Sequence, residues 1–177
     1  MKWRFAAKFL TAFAVLLVGW ALIDFAALYR SAVLSAVQLV SPIVSGWWLD
    51  WDRPGLVGEV TFRTGDRQLA MLLQLPALSM GMVPLLSLVI ATPGLTIAQT
   101  ASRALLGAVL YFAVDVAVVL VYPFIMDQPN VVKDTFGVFT GLIAFVVAPL
   151  GLWFVLTYSA LRPLWQLQSA PSSPRKK

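Results

Sequence analysis

Residues 104–122 read ALLGAVLYFAVDVAVVLVY, and Asp115 is the only charged residue among them. A helix needs roughly 20 mostly apolar residues to cross the hydrocarbon core of a bilayer, so this stretch is typical of a transmembrane helix. Three more apolar runs of similar length lie at residues 9–29, 75–91 and 136–158. The sequence therefore predicts an all-α membrane protein with about four transmembrane helices.

The composition of the whole chain agrees with this fold class. Of the 177 residues, 60% are hydrophobic and 12% are charged, and the mean hydropathy is +0.84. Soluble proteins are nearer 45–50% apolar and about 25% charged. The excess of apolar residues needs lipid as a partner, and the small net charge of +5 indicates membrane orientation rather than nucleic-acid binding.

The chain contains no Cys and no His. This excludes disulfides, thiol catalysis, Cys or His metal sites, and the ordinary His ligation of haem or chlorophyll. We also find no nucleotide-binding or calcium-binding motif. We therefore expect no enzyme, no metal site and no bound cofactor, although lipids or pigments could contact the Trp and Phe side chains without His ligation.

Residues 31–74 differ from the apolar runs on either side. Polar residues at 31, 35, 38, 41 and 45 recur at helical spacing, which predicts a helix at the membrane surface or, alternatively, an extension of the first span. Trp47, Trp48 and Trp51 follow beside charged residues, as in an interfacial aromatic belt or, alternatively, a Trp-lined ligand site. Further on, Thr64-Gly65-Asp66 separates two short runs with strand character, which predicts a β-hairpin outside the membrane.

The charges predict the orientation of the chain. With four spans, the side that holds both termini carries eight basic residues and no acid, whereas the other side carries five basic residues and seven acids. The positive-inside rule then places both termini in the cytoplasm and residues 31–74 on the opposite side of the membrane. We expect this membrane to be the inner membrane of a bacterium. We expect one membrane domain over residues 1–160 and a basic, disordered cytoplasmic tail over residues 161–177.

Asp115 lies near the middle of its span and is the main candidate for a functional residue. It shares a helix face with Ala104, Ala108 and Tyr111, and Tyr111 is close enough along the helix to donate a hydrogen bond to it. The acid could be neutral and bonded between helices, could dock a basic residue of a partner, or could relay protons or cations. Together, Asp115 and Tyr111 form the predicted intramembrane polar site.

Small residues line one face of the last span and predict a helix-packing surface. They recur at intervals of four and three residues, as Gly137, Gly141, Ala144, Ala148 and Gly151. Such a stripe lets another helix approach closely, either within this chain or from another subunit. A further cluster, Asp50, Asp52 and Glu59, could form an acidic enzyme site, but three acids beside a Trp belt are more often part of a solvated surface.

Two segments carry a family resemblance, Ala-Thr-Pro-Gly at residues 91–94 and Ala-Pro-Leu-Gly-Leu-Trp at residues 148–153. Together with the order of anchor, apolar segment, hairpin and Pro-containing span, they resemble the exosortase H-associated membrane proteins over most of the chain. That family accompanies a membrane transpeptidase that uses Cys, Arg and His. The resemblance implies an accessory role, because this chain lacks both Cys and His and cannot be the transpeptidase itself.

The resulting function hypothesis is a non-catalytic accessory or assembly subunit of a larger inner-membrane complex, with other integral membrane proteins and lipid as its partners. The complex could be an exosortase system, or a photosynthetic or respiratory complex with this chain as a supernumerary subunit. The alternative hypotheses are a small carrier or channel component that uses Asp115, and a membrane enzyme that uses the acidic cluster.

Overall fold

The computed structural model describes residues 2–51, 59–72, 81–127 and 130–168. These residues are mostly helical and include one small antiparallel sheet. The helices are α1 (Lys2–Leu22), α2 (Phe25–Val44), α3 (Met82–Ala91), α4 (Ile97–Met126), α5 (Val131–Leu142) and α6 (Ala148–Gln168), and the π-helical turn Ile143–Val147 joins α5 to α6. The strands are β1 (Trp48–Trp51), β2 (Glu59–Thr64) and β3 (Arg67–Leu72).

Four helical segments in the described part of the chain are long and apolar enough to cross a membrane, and they are not quite the predicted four. They are Trp3–Leu22, Phe25–Val44, Ile97–Ile125 and Val131–Arg162. Within the predicted span at 75–91 the structure describes residues 81–91, of which Met82–Ala91 form a helix of ten residues, and residues 75–80 lie outside the described ranges. The predicted span at 9–29 is divided at Asp24, which lies between α1 and α2.

Asp24 ends α1 and starts α2 through its backbone. Its φ of 48° is left-handed, a conformation that Asp tolerates better than most residues, and its carbonyl oxygen accepts hydrogen bonds from the amides of Ala27 and Leu28. The predicted surface segment at 31–45 is therefore not an extension of the first helix but the greater part of α2. Its position at a membrane surface stays a prediction, because α2 has itself the length and apolarity of a span.

The predicted hairpin is present as β2 and β3, and the structure adds a third strand. Gly65 opens the two-residue turn with a φ of 54°, the positive value that a type II′ turn needs at this position. β1 pairs with β2 in antiparallel register, with Leu49 opposite Phe62. Both side chains are buried, and β1 contacts α2, so the sheet gains the apolar support that a lone hairpin lacks.

α3 lies at the centre of the fold and contacts α1, α4 and α6. Side chains on nearly every side of it are buried, including Val83, Leu85, Ser87 and Val89. A helix of ten residues is only about 15 Å long, so α3 covers roughly half of a bilayer's thickness. It is too short to serve as the full span predicted at 75–91.

The contacts define two opposite ends of the bundle. At one end Arg103 donates a hydrogen bond to Ser159 at 3.0 Å, near the turn after α3 and the start of α4. At the other end Arg67 of β3 pairs with Asp127, which follows α4, at 3.5 Å. Lys133 at the start of α5 donates to the backbone carbonyl of Asp127, so the sheet and the α4–α5 connection share this end.

The last helix extends further than predicted. α6 continues through residues 161–168, which sequence reasoning assigned to the tail, and residues 169–177 lie outside the described ranges. Leu161 is buried, which gives this extension an anchor on the bundle.

Candidate functional site

Asp115 is buried in the middle of α4, where it accepts a hydrogen bond from another helix. The Tyr29 hydroxyl of α2 donates to its Oδ2 atom at 2.6 Å. Its exposed fraction is 0%, and its other oxygen, Oδ1, accepts no hydrogen bond from any residue that the structure describes. The bond joins residues that are 86 positions apart in sequence, so it ties α2 to α4.

Tyr111, the second member of the predicted polar site, is also fully buried, one helical turn before Asp115. Its phenol oxygen lies against the backbone of Gly81 and hydrogen-bonds to it. A Cβ atom at Gly81 would overlap this hydroxyl and also crowd Pro149 of α6. The close approach explains why glycine precedes α3, and it ties the start of α3 to both α4 and α6.

Arg30, one of the five basic residues that the charge count places on the non-cytoplasmic side, is buried with an exposed fraction of 6%. It follows Tyr29 in α2, so its Cα lies about 1.5 Å further along the helix axis than that of the residue that bonds Asp115. No ion pair of Arg30 occurs among the described residues.

The two segments that carry the family resemblance contact each other. The indole Nε1 of Trp153 in α6 donates to the Thr92 hydroxyl at 2.9 Å, and that hydroxyl donates to the carbonyl of Leu88 at 2.7 Å. Gly94 then turns the chain with a φ of 84°, close to the backbone of α6 at Ala160. Both segments therefore serve to fasten α3 and its following turn to α6.

The predicted packing stripe is divided by the π-helical turn Ile143–Val147. Pro149 has no backbone N–H, and the amide of Ala148 donates to the carbonyl of Ile143, five residues back. This adds one residue to the turn and rotates the following residues by about 100° relative to a continuous α-helix. Ala144 is consequently buried and Ala148 packs against the core, whereas Gly151 is exposed with nothing within 4 Å of a Cβ at its position.

For the rest of this stripe, Gly141 meets only Phe145 of its own helical segment. The surroundings of Gly137 lie outside what the structure describes. The stripe therefore serves packing within the chain at Ala144 and Ala148, and it leaves a small-residue opening at Gly151.

The three tryptophans of the predicted belt lie in different surroundings. Trp47 is in the core, Trp51 is half-buried and packs against the core, and Trp48 has an exposed fraction of 65%. Their role at a membrane interface stays a prediction, and Trp48 is the one placed to fulfil it.

The acidic cluster is only partly described. Asp50 forms an exposed ion pair with Arg63 of the neighbouring strand at 3.3 Å. Asp52 and the side chain of Glu59 lie outside the description. No group of three or more acids in the described ranges is arranged to hold a metal ion.

An apolar cavity of about 650 Å³ lies beside the Tyr29–Asp115 bond, between α1, α2, α3 and α4. Tyr29 lines it, but Asp115 does not. The described structure therefore encloses the acid behind the tyrosine rather than exposing it to the cavity.

Comparison of this chain with protein-family models gives no match, and comparisons with curated proteins and with solved structures give none either. Its function is therefore argued below from the residues themselves.

Proposed function

We propose that the chain is a non-catalytic accessory subunit of a larger complex in the inner membrane of a bacterium. The observation that carries this proposal is the hydrogen bond from Tyr29 to the fully buried Asp115. A buried acid that is bonded across two helices stabilises their packing, whereas an acid in a proton or ion path needs access to water or to a chain of relay groups. The main polar group of the predicted spans is thus used to hold the fold together.

The exposed apolar surface of the long C-terminal helical segment supports the proposal that another membrane protein binds there. Large apolar side chains along α5, the π turn and α6 are exposed, among them Phe139, Val147 and Val155. Lipid can cover such side chains, but the open space at Gly151 additionally allows the backbone of another helix to approach closely. We assign this face, around Gly151 and Val155, to an integral membrane partner.

The proposed orientation has both termini in the cytoplasm. The Arg67–Asp127 pair and Lys133 lie at one end of the bundle, and Arg103 lies at the other, in agreement with the two sides that the charges distinguish. The end that holds Arg103 is the cytoplasmic one by the positive-inside rule. The sheet then lies on the periplasmic side, where it could contact the partner's external domain.

The exosortase system is one setting for this subunit, because the two segments of the resemblance form a single contact between Thr92 and Trp153. In that setting the chain would help to assemble or orient the transpeptidase and would not take part in the chemistry. A photosynthetic or respiratory complex is the other setting, with this chain as a supernumerary subunit that holds no pigment through His.

A small carrier or channel is the second candidate function, favoured by two observations. Asp115 Oδ1 has no hydrogen-bond donor among the described residues, and the buried Arg30 is next to Tyr29. In this case Asp115→Asn would abolish proton or cation flux in proteoliposomes. The accessory function predicts no flux above that of empty liposomes for either the natural chain or the variant.

The accessory function can be tested by photo-crosslinking in the native membrane. A photoreactive amino acid at position 155 faces the proposed partner surface, and the same amino acid at Val18 of α1 is a matched control because Val18 is also an exposed valine in a span-length helix. We expect adducts of discrete protein size from position 155 and none from position 18. Crosslinks to lipid alone at both positions would rule out this partner surface.

A further inference from the structure

We propose that the cavity between α1, α2, α3 and α4 is a binding site for one hydrocarbon chain of a membrane lipid. The cavity measures about 650 Å³, within the 300–1,000 Å³ that is usual for ligand sites. It lies beside the middle third of α4, at Ala108, Val109 and Phe112. Neither the accessory function nor the carrier function requires this site. The lipid-site proposal does require that the helical bundle lies in a membrane.

The chemistry of the walls selects an apolar ligand. Four aromatic rings form one side, with centroid distances of 4.5 Å from Trp20 to Phe25, 6.1 Å from Trp20 to Tyr29 and 5.9 Å from Tyr29 to Phe112. The lining side chains carry two polar groups, the Tyr29 hydroxyl, which already donates to Asp115, and the indole N–H of Trp20, so the walls offer a ligand at most one free donor. A charged ligand would thus lose its hydration for a single neutral donor, whereas a hydrocarbon chain loses none.

The volume selects one chain rather than a partner helix. If a methylene group takes roughly the 30 Å³ that a water molecule takes in the liquid, the cavity holds about 20 such groups, or one long acyl or isoprenoid chain. A transmembrane helix is about 10–12 Å across and 30 Å long, which corresponds to roughly 2,000–3,000 Å³. A whole helix is several times too large to lie within this cavity, whereas one hydrocarbon chain fits it.

The break between α1 and α2 is what creates the site. Helix α1 ends at Leu22 and α2 starts after Asp24, so the two helices do not pack as one continuous rod, and Ile23 lies in the cavity wall at the break. Gly19 widens the cavity further, because a Cβ at this position would meet no atom within 4 Å. A larger side chain at position 19 can therefore occupy the site without displacing the protein around it.

The test measures lipid retained by the purified full-length chain. Protein in mild detergent is incubated with deuterium-labelled dipalmitoyl phosphatidylglycerol, separated into lipid-free detergent by gel filtration, and analysed by mass spectrometry for labelled lipid per protein. We expect about one retained lipid for the natural chain and a loss of at least fivefold for Gly19→Leu. Val44→Trp is a control that should retain lipid normally, because Val44 of α2 is an exposed valine that does not line the cavity.

Val15→Trp provides a second variant, since Val15 lines the same cavity from α1 and is largely exposed. It should lower retention as Gly19→Leu does, and thermal unfolding checks that both variants fold. Equal retention by the natural chain, Gly19→Leu and Val15→Trp would overturn the proposal, and so would the absence of retained lipid from the natural chain. The crosslinks expected at position 155 do not depend on either result.

Discussion

Removal of the Tyr29 hydroxyl should weaken the contact between α2 and α4 by a measurable amount. Tyr29→Phe keeps the ring, which packs against Trp20 and Phe112, but deletes the donor of the 2.6 Å bond to Asp115. Hydrogen bonds to charged groups contribute about 1.5–3 kcal/mol and neutral ones about 0.5–1.5 kcal/mol. Interhelical bonds measured in a membrane protein average about 0.6 kcal/mol and reach about 1.7 kcal/mol.

From these ranges we expect Tyr29→Phe to lower the free energy of unfolding by about 1–2 kcal/mol, because it leaves a fully buried carboxyl without its donor. For a chain of this size, each kcal/mol corresponds to about 2–4 °C in the melting temperature, so the expected loss is roughly 2–8 °C. The assay is thermal unfolding in one detergent. Tyr122→Phe is the control, since Tyr122 also lies in α4 but its hydroxyl has no hydrogen bond among the described residues.

A double-mutant cycle that combines Tyr29→Phe with Asp115→Ala then isolates the interaction energy between these two side chains. The bond predicts a coupling energy of about 0.5–2 kcal/mol, because the second substitution costs less once the first has been made. The reasoning would be refuted if the two substitutions were additive within about 0.3 kcal/mol and if Tyr29→Phe were no more harmful than Tyr122→Phe.

Substitutions at four other positions test the packing. Gly81→Ala should destabilise the chain by about 1–3 kcal/mol, because its methyl group would overlap the Tyr111 hydroxyl. Gly151→Ala should be neutral or stabilising by up to about 1 kcal/mol, because the space around Gly151 is open. Melting temperatures of the two variants, measured side by side, distinguish these outcomes. Trp153→Phe should cost about 1 kcal/mol or more through the lost indole donor to Thr92, and a melting temperature equal to that of the natural chain would contradict this role. Gly65→Ala should cost about 1–2 kcal/mol because its φ is 54°, and an unchanged denaturation midpoint would contradict the turn assigned between β2 and β3.

The hydrophobic runs predicted the helical fold well because the length and apolarity of a span are local properties of the sequence. The run at 104–122 lies wholly within α4, and the run at 136–158 lies within the segment from α5 to α6. The Thr64-Gly65-Asp66 turn was also predictable, because the backbone conformation at Gly65 restricts the residue type there. These features depend on few distant contacts.

The errors concern features that depend on tertiary contacts. Nothing in the local pattern shows that Asp24 would adopt a left-handed conformation and divide one apolar stretch into α1 and α2. The buried position of Trp47 and the strand β1 arise from pairing with β2 and from contact with α2. The π turn before Pro149 rotates the small-residue stripe, so a spacing of four and three residues does not predict a single continuous face.

The candidate site was predicted in part. The sequence identified Asp115 as the acid in the middle of a span, but it suggested a neighbour on the same helix, Tyr111, as the hydrogen-bond donor. The donor seen in the structure is Tyr29, 86 residues away, and such a partner cannot be found from helical spacing. The polarity of Tyr29 near the end of a predicted span was the only available signal.

The most direct test of the accessory function is purification of the tagged chain from its native membrane in mild detergent, followed by mass spectrometry of the proteins that co-migrate with it. The account predicts a stoichiometric set of larger membrane subunits, which would also distinguish an exosortase system from a photosynthetic or respiratory complex. Recovery of this chain alone, as a homogeneous monomer or homo-oligomer whose ion flux is lost in Asp115→Asn, would contradict the account and support the carrier instead.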